Sequence, residues 1–195
     1  AQKLKVKKLI YTSSMAIYGN QESASENLMG RNKPTPISFY GVSKFTGELY
    51  TKLVYEHSGI PYTIFRLFAT YGSGQDLKNE HQGILSIYLN QALNKKKSAT
   101  IKITGHKDRV RELVHVDDVI EALMLYNVSN AQPITPEIII KEISNVLKKP
   151  LKIKELEGYK GDQTHITSTT RKLRKLGWTP KIKIQEGIKE FINNL

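Results

Sequence analysis

The segment Tyr40-Gly41-Val42-Ser43-Lys44 organises the interpretation of this chain, because it pairs a phenol with an ammonium on a predicted helix. Residues four apart in a helix project from the same face, about one turn apart. A cation in that position favours the phenolate, so Tyr40 can act as a general acid or base near neutral pH. A packed ring beside a solvated lysine is the simpler alternative, and the flanking sequence decides between the two.

Two predicted strands flank this helix. Residues 8–14 form an apolar run that ends in small hydroxyl residues, and residues 62–68 form a second apolar run. The helix itself is predicted from about Ser38 to Ser58, because its apolar residues recur at helical spacing and a glycine and a proline follow. This alternation predicts part of a parallel α/β sheet, in which reactive groups gather at the carboxyl ends of strands.

Shorter elements are predicted along the rest of the chain. The helices are expected near 83–94, from Asp117 as a cap to about Leu125, at 137–148 after a Thr-Pro start, near 170–176, and at 184–193. The strands are expected at 100–104, 111–116 and 151–155. The junction at 125–126 joins a helix to an apparent strand with no turn residue, which predicts a longer helix or absent residues.

Composition limits the classes of function. The 195 residues suffice for a sizeable domain, and their hydrophobic content of 39% is ordinary for a globular protein. Cysteine is absent, no apolar run reaches the length of a membrane span, and no secretory signal is visible, so a cytoplasmic location is expected. The net charge of +12 comes from scattered lysines without interleaved aromatic residues, which favours solvated faces over DNA or RNA binding.

A set of motifs, in a fixed order along the chain, supports a functional role for Tyr40 and Lys44. They are Tyr11-Thr12-Ser13-Ser14-Met15-Ala16-Ile17-Tyr18-Gly19, the 40–44 segment, 66–75 (RLFATYGSGQ), 109–119 (RVRELVHVDDV) and Leu176-Gly177-Trp178-Thr179-Pro180. In order and spacing the chain resembles the extended short-chain dehydrogenase/reductases, in their nucleotide-sugar epimerase/dehydratase branch. The resemblance runs through nearly the whole chain and implies an NAD-dependent enzyme.

That resemblance implies a division of roles. Tyr40 would be the general acid/base at a sugar hydroxyl, Lys44 would bind the nicotinamide ribose of NAD and favour the phenolate, and Ser14 would hydrogen-bond the reacting oxygen. The cofactor contacts implied in addition are Ser13, Phe68, Ala69 and Thr70. The substrate contacts implied in addition are Gln82, Gly83, Ile101, Ile103 and Arg111.

The resemblance also suggests a substrate and a reaction. Arg111 is expected to hold the substrate diphosphate, because its planar fork pairs with phosphate oxygens. Related 4,6-dehydratases carry an acidic pair just after the catalytic hydroxyl residue, where this chain has Met15 and Ala16. Elimination of water therefore has no obvious acid/base pair. A UDP-hexose 4-epimerase is favoured, which oxidises C4, rotates the sugar and returns the hydride to the other face.

The expected fold is an incomplete Rossmann-like parallel sheet with a small α/β substrate-binding C-terminal region. Residues 1–75 would be the C-terminal part of the cofactor domain, and residues 76–195 mainly the substrate-binding region, with some segments returning to the sheet. The family's glycine-rich strand–turn–helix, which holds the dinucleotide pyrophosphate, is not found in this sequence. The family also usually has Asn where this chain has Ala69.

Several residues keep a structural interpretation beside the functional one. Asp117 and Asp118 are expected to cap a helix, and Trp178 to pack against the C-terminal helix. Arg109 is equally consistent with a surface charge and with a phosphate contact. The five histidines show no ligand spacing, so no metal is expected.

Other functions stay open at the level of sequence. A related dehydratase or reductase is one alternative, and a non-catalytic remnant that binds a nucleotide sugar or a partner protein is another. The 195-residue chain alone is expected to bind NAD poorly and not to turn over. A homodimer is expected from the resemblance.

Overall fold

The computed structural model describes residues 2–20, 33–79, 83–93, 99–125, 133–158, 174–175 and 177–195. The strands are β1 (Leu9–Ser14), β2 (Tyr62–Leu67), β3 (Ala69–Tyr71), β4 (Ala99–Thr104), β5 (Arg111–His115), β6 (Pro133–Ile134) and β7 (Leu151–Leu156). The helices are α1 (Phe39–Ser58), α2 (Ile84–Leu93), α3 (Val116–Leu125), α4 (Pro136–Leu147) and α5 (Ile184–Asn193). Among the described helices, none combines the length and apolar character that a membrane crossing requires.

Local signals in the sequence set the bounds of α1. The Ser38 hydroxyl accepts a hydrogen bond of 3.1 Å from the Gly41 amide, which satisfies one of the unpaired donors at the helix start. Gly59 ends the helix with φ at 68°, and its amide donates to the Tyr55 carbonyl at 2.7 Å. The predicted helix between Ser38 and Ser58 is confirmed.

The helix α1 connects two parallel strands. β1 pairs with β2 from Leu9 opposite Tyr62 to Ser14 opposite Leu67. Parallel neighbours need a crossover connection, and α1 provides it. The carboxyl end of β1 and the start of α1 therefore lie on the same side of this small sheet.

The predicted strand at 62–68 is interrupted at Phe68 in the structure. β2, which pairs with β1, stops at Leu67, and the next strand, β3, pairs in parallel with β5 of another sheet, where Ala69 lies opposite Leu113. β5 also pairs antiparallel with β6. The chain thus changes sheets at this point, and β3 joins β5 and β6, which come from farther along the chain.

β4 and β7 form a separate parallel pair, with Ile101 opposite Ile153. The outer edge of β4 is bonded to a side chain. The Gln91 amide of α2 accepts from the Lys102 backbone N–H at 2.8 Å and donates to the Lys102 carbonyl at 3.3 Å. One side-chain amide thereby makes both hydrogen bonds that a neighbouring strand would make at this residue.

The start of α3 differs from the prediction. The helix begins at Val116, directly after β5, so Asp117 lies in its first turn rather than at its cap. The His115 ring accepts the Asp117 amide through Nδ1 at 3.3 Å. Asp118 is buried, and its carboxylate accepts the backbone N–H groups of Lys181 and Ile182 at 3.1 and 3.2 Å. The predicted capping role of both aspartates is wrong.

Among the described residues, apolar side chains from the sheets and helices form one large core and two smaller ones. The large core packs α2, α4 and α5 against β3, β4 and β5, with Leu89, Ile139 and Phe191 among its fully buried members. A second cluster holds Trp178 against Phe65, Val114, Val119 and Ala122. Trp178 therefore packs with α3 and the strands instead of the C-terminal helix.

The later helices follow their sequence signals. Thr135 caps α4 through its hydroxyl, and Pro136 occupies the first turn, as predicted. The final helix is confirmed with the bounds Ile184–Asn193. The junction at 125–126 and the predicted helix near 170–176 lie partly outside the described residues.

Candidate active site

The structure places Tyr40 and Lys44 beside the carboxyl end of β1. The Lys44 ammonium donates to the Thr12 carbonyl of β1 at 2.9 Å and lies 5.8 Å from the centroid of the Tyr40 ring. Tyr40 is 56% exposed, so its ring is accessible to a ligand. The spacing seen in the sequence thus corresponds to an ammonium held next to an accessible phenol.

Two serine hydroxyls end β1 close to this pair. Ser14 is buried and begins the 3-10 turn Met15–Tyr18, and its oxygen accepts the Ala16 amide at 3.2 Å. The Ser14 hydroxyl proton is therefore available for another acceptor. Ser13 is only 2% exposed, and its oxygen has no hydrogen-bond partner. A buried hydroxyl without a partner is costly, which fits a site completed by a polar ligand.

Gly41 allows α1 to approach the 3-10 turn closely. A Cβ atom at this position would lie 2.5 Å from the Ala16 carbonyl oxygen and 3.0 Å from the Pro36 Cβ. Such distances are too short for carbon, so only glycine fits without a shift of the backbone. The close approach holds the neighbouring Tyr40 near the end of β1.

A buried ion pair fixes the middle of α1 to β2. Arg66 donates to the two Glu48 carboxylate oxygens at 2.9 and 2.7 Å, and to the Tyr18 hydroxyl at 2.7 Å. Burial is the largest single influence and would lower the pKa of Arg66, but the hydrogen bonds and charges of Glu48 and Tyr18 together outweigh it, so this pKa lies above its ordinary value. The sequence interpretation missed both residues. Glu48 lies four residues after Lys44, and nothing in the sequence distinguishes it from a solvated glutamate.

The residues after β2 border the same region. Phe68 is buried in a small cluster with Ile17 and Tyr18. The Thr70 hydroxyl donates to the Phe68 carbonyl at 3.2 Å, and the Thr70 carbonyl accepts from Gln75 at 3.2 Å. Ala69 is half-buried at the start of β3.

The predicted substrate residues occupy different environments. Arg111 is buried at the start of β5 and donates to the Val110 carbonyl at 3.0 Å. Ile101 and Ile103 are fully buried in the large core, so their side chains contact other core residues. Gly83 has φ at 51° just before α2. Gln82 lies outside the described residues.

A second polar cluster joins the C-terminal helix to the turn after β3. Glu190 accepts from Ser73 at 2.5 Å and lies 3.0 Å from the buried His115 ring. Asn194 donates to the same carboxylate at 2.6 Å. The Ser73 hydrogen bond, with those of His115 and Asn194, holds the pKa of Glu190 below its usual value. Within the described parts of the chain, no group of three or more His, Asp or Glu side chains has the arrangement of a metal site.

Comparison with known families agrees with this geometry. Residues 1–139 match the sequence model of the NAD dependent epimerase/dehydratase family, so the chain belongs to that family. The resemblance inferred from the motifs is confirmed, and NAD is the cofactor of the family.

Several individual proteins of the family are similar to this chain. A Methanocaldococcus jannaschii protein named provisionally as a UDP-glucose 4-epimerase is 32% identical over 98% of this chain and 64% of its own length. The UDP-glucose 4-epimerase of Thermus thermophilus, solved with NAD, has a TM-score of 0.85 at 27% identity, covering 99% of this chain and 65% of its own. The Thermotoga maritima UDP-glucose 4-epimerase, solved with UDP-glucose, has a TM-score of 0.87 at 28% identity, covering 98% and 64%.

These matches confirm the Rossmann-like α/β fold class. The chain spans less than two thirds of the length of each of these proteins. This partial coverage agrees with the absence of a glycine-rich dinucleotide motif from the sequence.

Proposed function

We propose that the full-length protein is an NAD-dependent nucleotide-sugar epimerase, with a UDP-hexose as substrate and C4 as the reacting carbon. The observation that carries the proposal is the position of Lys44, whose ammonium lies 5.8 Å from the Tyr40 ring centroid and 2.9 Å from the Thr12 carbonyl oxygen of β1. This arrangement supports a proton-transfer role for Tyr40, because parallel α/β sheets bind their ligands at the carboxyl ends of their strands.

Each group of the site has a distinct task in this proposal. The Tyr40 phenolic oxygen takes the proton of the C4 hydroxyl and later returns it, while the Lys44 ammonium stabilises the negative charge on that oxygen. The Ser14 oxygen accepts a hydrogen bond from the Ala16 amide, which leaves the hydroxyl proton for donation to the reacting sugar oxygen. NAD, when bound, would accept the hydride from C4 and return it.

The residues that would hold the cofactor lie around the end of β1. Lys44 would contact the nicotinamide ribose, and the backbone at 68–70 would flank the nicotinamide. The support for a polar ligand here is Ser13, a buried hydroxyl whose oxygen has no hydrogen-bond partner. The orphan hydroxyl would gain its missing bond when the site is filled.

The substrate would extend from this centre towards β5. Arg111 at the start of that strand would pair with the diphosphate through its planar guanidinium. Gln82, Gly83 and the backbone at Ile101 and Ile103 would border the nucleotide. In this arrangement residues 1–75 contribute to the cofactor domain and residues 76–195 mainly to substrate binding.

The residues after Ser14 favour an epimerase over a dehydratase. Met15 and Ala16 form the first half of the 3-10 turn, and neither can exchange a proton. A dehydratase needs an acid and a base to eliminate water. A dehydratase or reductase is the second candidate, because the family contains dehydratases and one relative is named as a dTDP-4-dehydro-6-deoxyglucose reductase.

We also propose a cytoplasmic homodimer. Apolar side chains of α1 at Phe39, Val42, Leu49 and Leu53 are exposed and recur at helical spacing. A second copy of this helix would cover the stripe. Sedimentation analysis of the full-length protein tests this part, since a monomer at micromolar concentration would contradict it, and cell fractionation tests the location.

The decisive experiment follows UDP-glucose and UDP-galactose by sugar NMR with the purified full-length protein. Inversion at C4 without net redox change is expected. A deoxy or keto product would move the assignment to the second candidate, and binding of a nucleotide sugar without turnover would favour a non-catalytic role. The 195-residue chain expressed alone is expected to be inactive, because it spans less than two thirds of its relatives.

A further inference from the structure

Tyr11 contacts Lys44 in two ways that the proposed function does not use. Its hydroxyl donates to the Lys44 backbone carbonyl at 3.3 Å. The Lys44 ammonium lies 5.5 Å from the centroid of the Tyr11 ring. One side chain of β1 therefore contacts both ends of the lysine.

The Lys44 ammonium is held between two aromatic rings and one carbonyl. The Tyr11 and Tyr40 ring centroids lie 5.5 and 5.8 Å away, and the Thr12 carbonyl accepts at 2.9 Å. Both rings are within the range of cation–π attraction. Because Tyr11 belongs to β1 and Tyr40 to α1, the ammonium has a ring contact on each element.

The helix is shaped to admit Tyr11. A Cβ atom at Gly47 would lie 2.1 Å from the Tyr11 hydroxyl oxygen and 2.3 Å from the ring carbon that bears it. Glycine at this position lets the ring lie against α1 one turn beyond Lys44. Any larger side chain would displace the ring from its place near the ammonium.

The Tyr11 hydroxyl is suited to donate a hydrogen bond and not to act as a second general base. Burial, and then the Glu48 and Tyr40 charges, raise the pKa of Tyr11 above its ordinary value. The phenol therefore stays protonated at neutral pH and keeps its hydrogen bond to the Lys44 carbonyl.

We infer that Tyr11 is a positioning residue, whose ring fixes the Lys44 ammonium at its distance from Tyr40, while its hydroxyl only bonds the lysine backbone. The expected effect on catalysis rests on the proposed function. The contact between Tyr11 and Lys44 does not depend on that function. If Tyr11 only filled the core, its replacement would lower stability without changing the position or the solvent exposure of the Lys44 ammonium.

The test compares Tyr11→Phe with Tyr11→Leu in the full-length protein. Tyr11→Phe keeps the ring beside the ammonium and is expected to keep kcat within about threefold of wild type. Tyr11→Leu removes the ring and is expected to lower kcat about tenfold, the scale of one cation–π contact, with a smaller change in KM. Tyr50→Leu, at an exposed tyrosine of α1, is the matched control and should leave kcat unchanged.

A second readout does not depend on turnover. Acetylation of Lys44, quantified by peptide mass spectrometry against the exposed Lys102, should be severalfold faster in Tyr11→Leu, because the ammonium is released to solvent. If wild type shows no epimerase activity, the proposed function fails, while the acetylation rates still test the inference about Tyr11.

Two results would overturn the inference. One is wild-type kcat and wild-type Lys44 acetylation in Tyr11→Leu. The other is an equal loss in Tyr11→Phe and Tyr11→Leu, which would exclude a role for the ring. Thermal unfolding confirms that each variant is folded, and Tyr11→Met, with an unbranched apolar side chain, replaces Tyr11→Leu if the latter does not fold.

Discussion

The Arg66 guanidinium pairs side-on with the Glu48 carboxylate, with Nε donating to Oε1 at 2.9 Å and Nη2 donating to Oε2 at 2.7 Å. The Glu48 side chain is fully buried and that of Arg66 is 15% exposed. A charge so far from water depends on its partner, because the partner replaces the lost hydration. The pair joins the middle of α1 to β2.

Removal of one partner should therefore be far more harmful than removal of both. Arg66→Met leaves the Glu48 charge without its partner and should lower the free energy of unfolding by about 3–5 kcal/mol. The double variant Glu48→Met/Arg66→Met should recover a large part of this loss. Urea unfolding of the full-length protein measures both, with the exposed Glu56→Gln as a control expected to stay within about 0.5 kcal/mol. Wild-type stability of Arg66→Met would contradict the structure.

Loss of the Tyr40 hydroxyl should abolish turnover and leave the fold intact. Tyr40→Phe removes the group that exchanges the proton, and positioned acid/base groups contribute about 10²- to 10⁴-fold to rate. The ring is more than half exposed, so the thermal midpoint should not change. Steady-state kinetics and thermal unfolding check the two parts. Tyr50→Phe, on an exposed part of the same helix, should behave as wild type, and unchanged turnover in Tyr40→Phe would exclude the proton-transfer role.

An alanine at Gly41 should destabilise the protein, although the same change in an ordinary helix stabilises it by about 1 kcal/mol. The new Cβ would lie 2.5 Å from the Ala16 carbonyl oxygen, so the first turn of α1 must move. We expect a loss of about 1–3 kcal/mol in unfolding free energy and a lower kcat, because Tyr40 moves with that turn. Gly158→Ala, whose Cβ would have an ordinary contact at 3.4 Å, should leave both quantities unchanged. A more stable Gly41→Ala variant would disprove the close approach.

The Glu190 cluster should make the stability of the protein fall as the solution becomes acidic. The hydrogen bond from Ser73, with those of His115 and Asn194, holds the pKa of Glu190 below its ordinary value of 4.5. The stabilisation is therefore fully present above pH 4.5 and lost as the pH falls through the lower pKa of the folded state. The effect should be small, because the side chain is 39% exposed.

Glu190→Gln removes this titration, so its unfolding free energy should fall less steeply than that of wild type below pH 4.5. Chemical unfolding at a series of pH values gives the two slopes, and Glu157→Gln, at an exposed residue after β7, serves as the control. If the unfolding free energies of Glu190→Gln and wild type fell in parallel with pH, Glu190 would have the same pKa in the folded and unfolded chains, and the prediction would be wrong.

Signals that act within a few residues were readable from the sequence. The Ser38 hydroxyl bonds an amide three residues on, and Gly59 takes the left-handed conformation that ends a helix, so both bounds of α1 were predicted. The same holds for Thr135 and Pro136 at α4. The Tyr40 and Lys44 spacing was readable for the same reason, since helical geometry alone puts the two side chains on one face.

Features that depend on a distant partner were not readable. The break at Phe68 arises because β3 pairs with β5, a strand far along the chain. Asp118 was interpreted as a cap, whereas its carboxylate binds the backbone of Lys181 and Ile182. At the site, the burial of Glu48 depends on Arg66 of another strand. Only the small residue at Gly47 hinted that a large side chain such as Tyr11 packs against α1 there.

The Gln91 side chain has a consequence for the behaviour of the protein at high concentration. An open strand edge offers unpaired N–H and C=O groups to other molecules, and pairing there leads to edge-to-edge association. Because the Gln91 amide occupies both backbone groups of Lys102, the centre of β4 has none to offer on that side. Gln91→Ala should leave the fold of α2 unchanged and raise the light scattering of concentrated protein over time, whereas Asn90→Ala, at the neighbouring helix position, should not.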